Sequence, residues 1–138
     1  MKQIAIINGP NLNLLGKRET DLYGTESFDV FLQQLRNQYP EVTFHYFQSN
    51  VEGELIDALH QYGFKTDGII FNPGGYTHTS VAIGDAVAAI TAPVVEVHIS
   101  NIHNREDFRK LSHVSAQSAG VITGLGLKGY ELALRYFL

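Results

Sequence analysis

Glu96 and His98 stand two residues apart inside the apolar run Val94-Val95-Glu96-Val97-His98-Ile99. Alternate residues of a strand share a face, so this spacing sets a carboxylate beside an imidazole. The carboxylate favours the imidazolium and orients its ring, which suits a general acid. The same pair also fits a structural ion pair. Arg105 and Arg109 are four apart, on one face if the segment is helical, and fit either an anion clamp or a solvated surface. Asn72 and His78 bound the glycine-rich stretch "NPGGYTH", where the imidazole fits a ligand site or a helix cap. Asn8 and Asn11 bracket Gly9-Pro10, and asparagine there serves equally well as a turn former. The stretch "GPNLNLLGKRETDLYG", residues 9–24, carries Arg18 and Tyr23 through about sixteen residues with no steady period. Strand-to-helix links usually take about 2–6 residues, and longer ones tend to be functional lids.

Other motifs point away from familiar cofactor chemistry. "GLGLKG" (Gly124, Gly126, Gly129) has the G-x-G-x-x-G pattern, but a dinucleotide site needs a further strand with an acidic residue about 20 positions on. The sequence ends nine residues after Gly129, so these glycines read as a tight turn. Glu96, His98 and His103 have ligand chemistry, yet the six histidines form no H-x-x-x-H pair, so no metal is expected. Lys2, Lys17, Lys65, Lys110 and Lys128 sit in polar or glycine-rich surroundings, unlike a Schiff-base lysine. There is no cysteine, so disulfide and thiolate chemistry are excluded. What remains is acid, base and anion-binding groups, an inventory for proton abstraction, elimination or isomerisation on a small polar acid, with no cofactor expected.

The elements that must position these groups alternate. Five β-rich runs, Ile4–Asn8, Val42–Gln48, Gly68–Asn72, Val94–His98 and Gly120–Thr123, are mostly continuous in apolar residues, as strands buried on both faces should be. Phe28, Phe31, Leu32, Leu35 and Tyr39 share one helical face. A second helix is expected over about Val51 to Tyr62, with Ser49 or Asn50 as N-cap and Gly63 as stop. A third is expected over about Thr79 to Thr91, a fourth after an Asn104 N-cap with Asp107 at N3, and a last one from Lys128. Alternation of this kind predicts a parallel sheet with helices on both faces. We expect one flavodoxin-like α/β domain over residues 1–138, strand order 2-1-3-4-5. Ligands in such sheets bind beyond the carboxyl ends of the strands, where the order reverses. Strands 1, 3 and 4 end there in Asn8, Asn72 and His98.

The 138 residues suit one domain, and 44% are hydrophobic. A formal charge of −4 argues against a nucleic-acid partner. The N-terminal apolar run is too short for a signal peptide, and no run reaches the ~18 apolar residues of a membrane span. A cytoplasmic location with no membrane partner is the expectation.

Five blocks, in order, resemble the type II 3-dehydroquinate dehydratases: "GPNLNLLGKRETDLYG", "QSNVEGELID", "GIIFNPGGYTHTSVAIGDA", "EVHISNIHNREDFR" and "GVITGLGLKGYELAL". The resemblance spans nearly the whole chain. It implies a flavodoxin-like fold and cofactor-free dehydration of 3-dehydroquinate to 3-dehydroshikimate, the third step of the shikimate pathway. It also implies assembly as a dodecamer made of trimers. By position, Tyr23 would take a C2 proton to give an enolate, and Arg18 would favour the ionised phenol. Asn11 would hold the enolate oxygen through an ordered water. His98 would protonate the departing C1 hydroxyl, with Glu96 orienting its ring. Asn72, His78, Arg109 and the backbone amides of Ile99 and Ser100 would bind substrate hydroxyls and carboxylate. Asp85 matches a site residue acting near a subunit interface, and Arg105 a second arginine of its block. Thr20 stands where the family usually has proline, and Val51 where many members have histidine. Neither change removes one of these groups. Two competing readings are another cofactor-free lyase or isomerase acting on a small polyhydroxy acid, and a nucleotide-binding regulatory module.

Overall fold

The computed structural model describes residues 1–17, 21 and 25–138; Arg18, Thr20 and Tyr23 lie outside the described residues. Five parallel strands form one sheet in the order β2-β1-β3-β4-β5. They are β1 (Lys2–Asn8), β2 (Val42–Gln48), β3 (Gly68–Asn72), β4 (Val94–His98) and β5 (Gly120–Thr123). The expected runs, order and α/β class all hold.

β1, β3 and β4 are apolar over most of their length because both sheet faces cover them, whereas the edge strands β2 and β5 are only partly buried. Ile4, Ile6, Ile70, Val95 and Val97 point to one face, under helices α1 (Phe28–Gln38) and α4 (Lys128–Phe137). Ala5, Ile7, Ile69, Phe71 and Val94 point to the other, under α2 (Glu52–Gly63) and α3 (Val81–Ala89). Burying each of these larger side chains contributes about 1.5–3 kcal/mol. Glu96 and His98 fall on the α2/α3 side because they alternate with Val95 and Val97. Ser27 and Ser80 cap α1 and α3, accepting from the amides of Val30 and Ile83 at 3.3 and 3.0 Å. α3 is shorter than the expected Thr79–Thr91: Ser80 is its N-cap, and Ile90 turns extended at its C-cap.

Two local expectations are corrected. Neither Ser49 nor Asn50 is the N-cap of α2; Val51 is. The Ser49 hydroxyl instead accepts from Val51 N and donates to Glu54. The Asn50 carboxamide is taken by the Asn11 amide at 3.0 Å. The helix expected after Asn104 is replaced by two 3-10 turns, Ile102–Asn104 and Asp107–Lys110, with Arg105 extended between them. Arg105 and Arg109 therefore do not share an α-helical face. Tertiary bonds outcompete the helix: Arg105 Nη1 donates to Ser100 Oγ (3.2 Å), Leu111 O bonds His78 Nδ1 (2.7 Å), and His113 N donates to Thr77 O (2.9 Å).

Gly84 in α3 permits that docking. A Cβ there would sit 2.2 Å from the His113 carbonyl oxygen, which is backbone and cannot rotate away. Gly84→Ala is expected to cost ~1–3 kcal/mol of stability, read by chemical denaturation. After β5 the chain turns through Gly124 (φ 87°) and Gly126 (φ 63°), so "GLGLKG" is the tight turn its position implied. Among the described residues no helix is long and apolar enough to cross a membrane.

Candidate active site

The carboxyl ends of β1, β3 and β4 open onto a cleft. Asn11, Asn72, His78, His98, Ile99, Ser100, Arg105 and Arg109 line it, with Pro10, Leu12, Leu15, Gly74, Gly75 and Ile102. Eight of the expected site residues are thus together at the switch point of the sheet. Close approach makes this possible: a Cβ on Gly9 would lie 2.4 Å from Pro73 O, so glycine lets the ends of β1 and β3 nearly touch. Asn11 has φ 69°, a left-handed conformation that asparagine tolerates.

Glu96 lies beneath the cleft and is fully buried. Its Oε2 bonds Nε2 of His98, and its Oε1 accepts from Ser115 Oγ at 2.7 Å. Ser112 Oγ approaches both carboxylate oxygens at 3.3 and 3.4 Å. The Ser112 hydroxyl is itself held by the amides of Val114 and Ser115 at 3.1 and 3.0 Å. A buried carboxylate is costly unless its lone pairs are satisfied, and here His98 and two serines satisfy it. His98 is correspondingly held in one orientation at the cleft wall. Among the described residues its Nδ1 has no partner.

Across the cleft, the rings of His78 and His98 lie 6.3 Å apart, and Phe108 meets His78 edge-on at 6.1 Å. Burial pushes the His78 imidazole below its usual range; the Leu111 carbonyl opposes this, while His98 and Arg109 add to it. Folded His78 therefore binds a proton less readily than in the unfolded chain. The resulting stability is whole above the unfolded value of about 6.5 and is lost as pH falls through the lower folded value. The Tm advantage of the native protein over His78→Gln is expected to shrink on going from pH 7 to pH 5 in thermal melts. A constant difference would contradict this.

Arg109 pairs with Glu106 and stacks on Phe108, its guanidinium carbon 5.1 Å from the ring centroid. That arginine draws the Glu106 carboxyl below its usual range. Arg105 and Arg109 both line the cleft. The carbonyls of Ile99 and Ser100 are used by Gly126 N (3.1 Å) and Thr123 Oγ1 (3.0 Å). Among the described residues their amides have no acceptor. Together the groups offer an imidazole held by a buried carboxylate, two guanidinium groups and backbone hydrogen-bond donors.

Not every expected residue faces this cleft. Asp85 sits exposed on α3 and does not line it. Arg18 and Tyr23 lie outside the described residues. Sequence reasoning missed Ser112, Ser115 and Tyr130 and left Asn8 undecided. The hydroxyl of Tyr130, on α4, donates to Asn8 Oδ1 (2.7 Å) and accepts from Asn72 Nδ2 (2.9 Å). Nothing local in the sequence signals contacts across 122 and 58 positions. Among the described residues, no cluster of three or more His, Cys, Asp or Glu is placed to hold a metal ion.

A parallel doubly wound sheet with a carboxylate–histidine pair and two arginines at a cleft on its switch point defines the general class, a small α/β protein with a polar cleft at the carboxyl edge of its sheet. The family model for dehydroquinase class II matches residues 2–138, and the chain belongs to that family. It is 54% identical to the 3-dehydroquinate dehydratase of Fusobacterium nucleatum, covering 99% of this chain and 96% of that protein. It is 53% identical to the Bacillus licheniformis 3-dehydroquinate dehydratase, covering 100% and 97%. The crystal structure of type II dehydroquinase from Butyrivibrio crossotus superposes with a TM-score of 0.94 at 42% identity, covering 99% of this chain and 97% of that one.

Proposed function

We propose that this chain is a 3-dehydroquinate dehydratase. It removes water from 3-dehydroquinate to give 3-dehydroshikimate, by anti elimination through an enolate, as the third step of the shikimate pathway. The observation that carries this reading is the Ser112/Ser115–Glu96–His98 arrangement at the wall of an arginine-lined cleft. Neutral His98 donates Nε2–H to Glu96 and carries its lone pair on Nδ1; protonated, it offers Nδ1–H. That proton goes to the departing C1 hydroxyl, which leaves as water.

The electrons for that departure come from the C2–H bond. Tyr23 takes the C2 proton, and Arg18 favours its ionised form. Asn11 holds the enolate oxygen through a water. Asn72, His78 and Arg109, with the amides of Ile99 and Ser100, bind the hydroxyls and carboxylate, and Arg105 adds charge at the mouth. Asp85, exposed on α3, acts near a subunit interface in a dodecamer built of trimers. The enzyme works in the cytoplasm without a cofactor.

The test is direct. Purified protein, treated with a chelator, is mixed with 3-dehydroquinate, and the conjugated enone is followed by ultraviolet absorbance. A rise proportional to enzyme concentration is expected. A flat trace from folded protein would refute the proposal.

A further inference from the structure

The proposed mechanism leaves Tyr130 unused, although its hydroxyl bonds Asn72, which lines the cleft. The ring is fully buried and meets Phe28 edge-on at 4.9 Å. Its hydroxyl joins the last residues of two neighbouring strands, Asn8 of β1 and Asn72 of β3. Asn8 Nδ2 continues the chain to the Tyr46 hydroxyl at 3.3 Å. Asn72 Oδ1 accepts from Gly74 N at 3.1 Å. We propose that Tyr130 is a positioning residue for substrate binding: its hydroxyl fixes which atoms of the Asn72 amide face the cleft.

A carboxamide has two N–H donors and two carbonyl lone pairs. Tyr130 takes one donor of Asn72, and Gly74 takes one lone pair. One N–H and one lone pair remain on a residue that lines the cleft. That couple matches a hydroxyl, which both donates and accepts, and would serve an anion or a carbonyl less well. Burial raises the Tyr130 phenol far above its usual range, so it stays protonated and the direction of the relay does not reverse with pH. The amide is therefore set before the ligand arrives, and preorganisation of this kind improves affinity.

The inference rests on the reading of the cleft as the 3-dehydroquinate site. Its test is a double-mutant cycle on the full chain, with KM and kcat measured by the enone assay. Tyr130→Phe keeps the packed ring and removes only the hydroxyl. It is expected to raise KM about tenfold with kcat changed less than about threefold. In an Asn72→Ala background the same change is expected to leave KM unaltered. A Tyr130→Phe enzyme with a lowered Tm but native KM would overturn the proposal, as would additive effects in the cycle. Native KM in Asn72→Ala alone would instead bring down the reading of the cleft itself. Should Tyr130→Phe not fold, Asn8→Ala removes the acceptor of the same hydroxyl. It is expected to raise KM in the native background and not in Asn72→Ala, and additivity there overturns the proposal equally.

Discussion

Tyr23→Phe is expected to lower kcat by ~10²–10⁴-fold, the usual worth of a positioned acid or base, while the fold and Tm stay native. The proposed role makes a severe demand. A free phenol has a pKa near 10, so ionising it at pH 7 costs roughly 4 kcal/mol. A cation about 4 Å away returns up to about 4 kcal/mol at an effective dielectric near 20, but only about 1 kcal/mol in bulk water. One arginine thus nearly closes the gap, provided water is kept out. Arg18 stands five residues before Tyr23 in the same segment, which suits that partnership. Steady-state enone formation and far-ultraviolet circular dichroism check the prediction. Substantial residual turnover by folded Tyr23→Phe would remove the phenolate from the mechanism.

His98→Asn is the second large effect. Asparagine is close in size to imidazole but cannot pass a proton to a leaving hydroxyl. Glu96 would remain buried with the hydroxyls of Ser112 and Ser115 still donating to it, so folding is expected to persist. Dehydration is expected to fall by ~10²–10⁴-fold while substrate binding, measured by calorimetry, is largely kept. Loss of binding in parallel with loss of turnover would make His98 a binding group instead of the acid.

Much of the site is legible in the sequence. The apolar runs Ile4–Asn8 and Gly68–Asn72 announce strands buried on both faces, and the parallel order then brings their terminal asparagines to one edge. Glu96 and His98 share a face because strand geometry leaves no choice. The stretch 104–111 misled because its capping signs are local, whereas Ser100 and His78 hold Arg105 and Leu111 through side-chain bonds that capping signs do not reveal. Ser112, Ser115 and Tyr130 were invisible for the same reason. Their hydroxyls acquire meaning only when the fold delivers Glu96, Asn8 and Asn72 to them. Asp85 shows the converse, since its chemistry is plain in the sequence but its own chain does not bring it to the cleft.

The account's centre is a division of labour, in which Tyr23 removes the C2 proton and His98 separately protonates the leaving hydroxyl. Deuterium exchange at C2 tests it most directly, with His98→Asn incubated with 3-dehydroquinate in D2O and followed by proton NMR. We expect the C2 signal to wash out faster than without enzyme while little 3-dehydroshikimate forms, and we expect Tyr23→Phe to show neither. Dehydration at the native rate by His98→Asn, or undiminished C2 exchange by Tyr23→Phe, would contradict it.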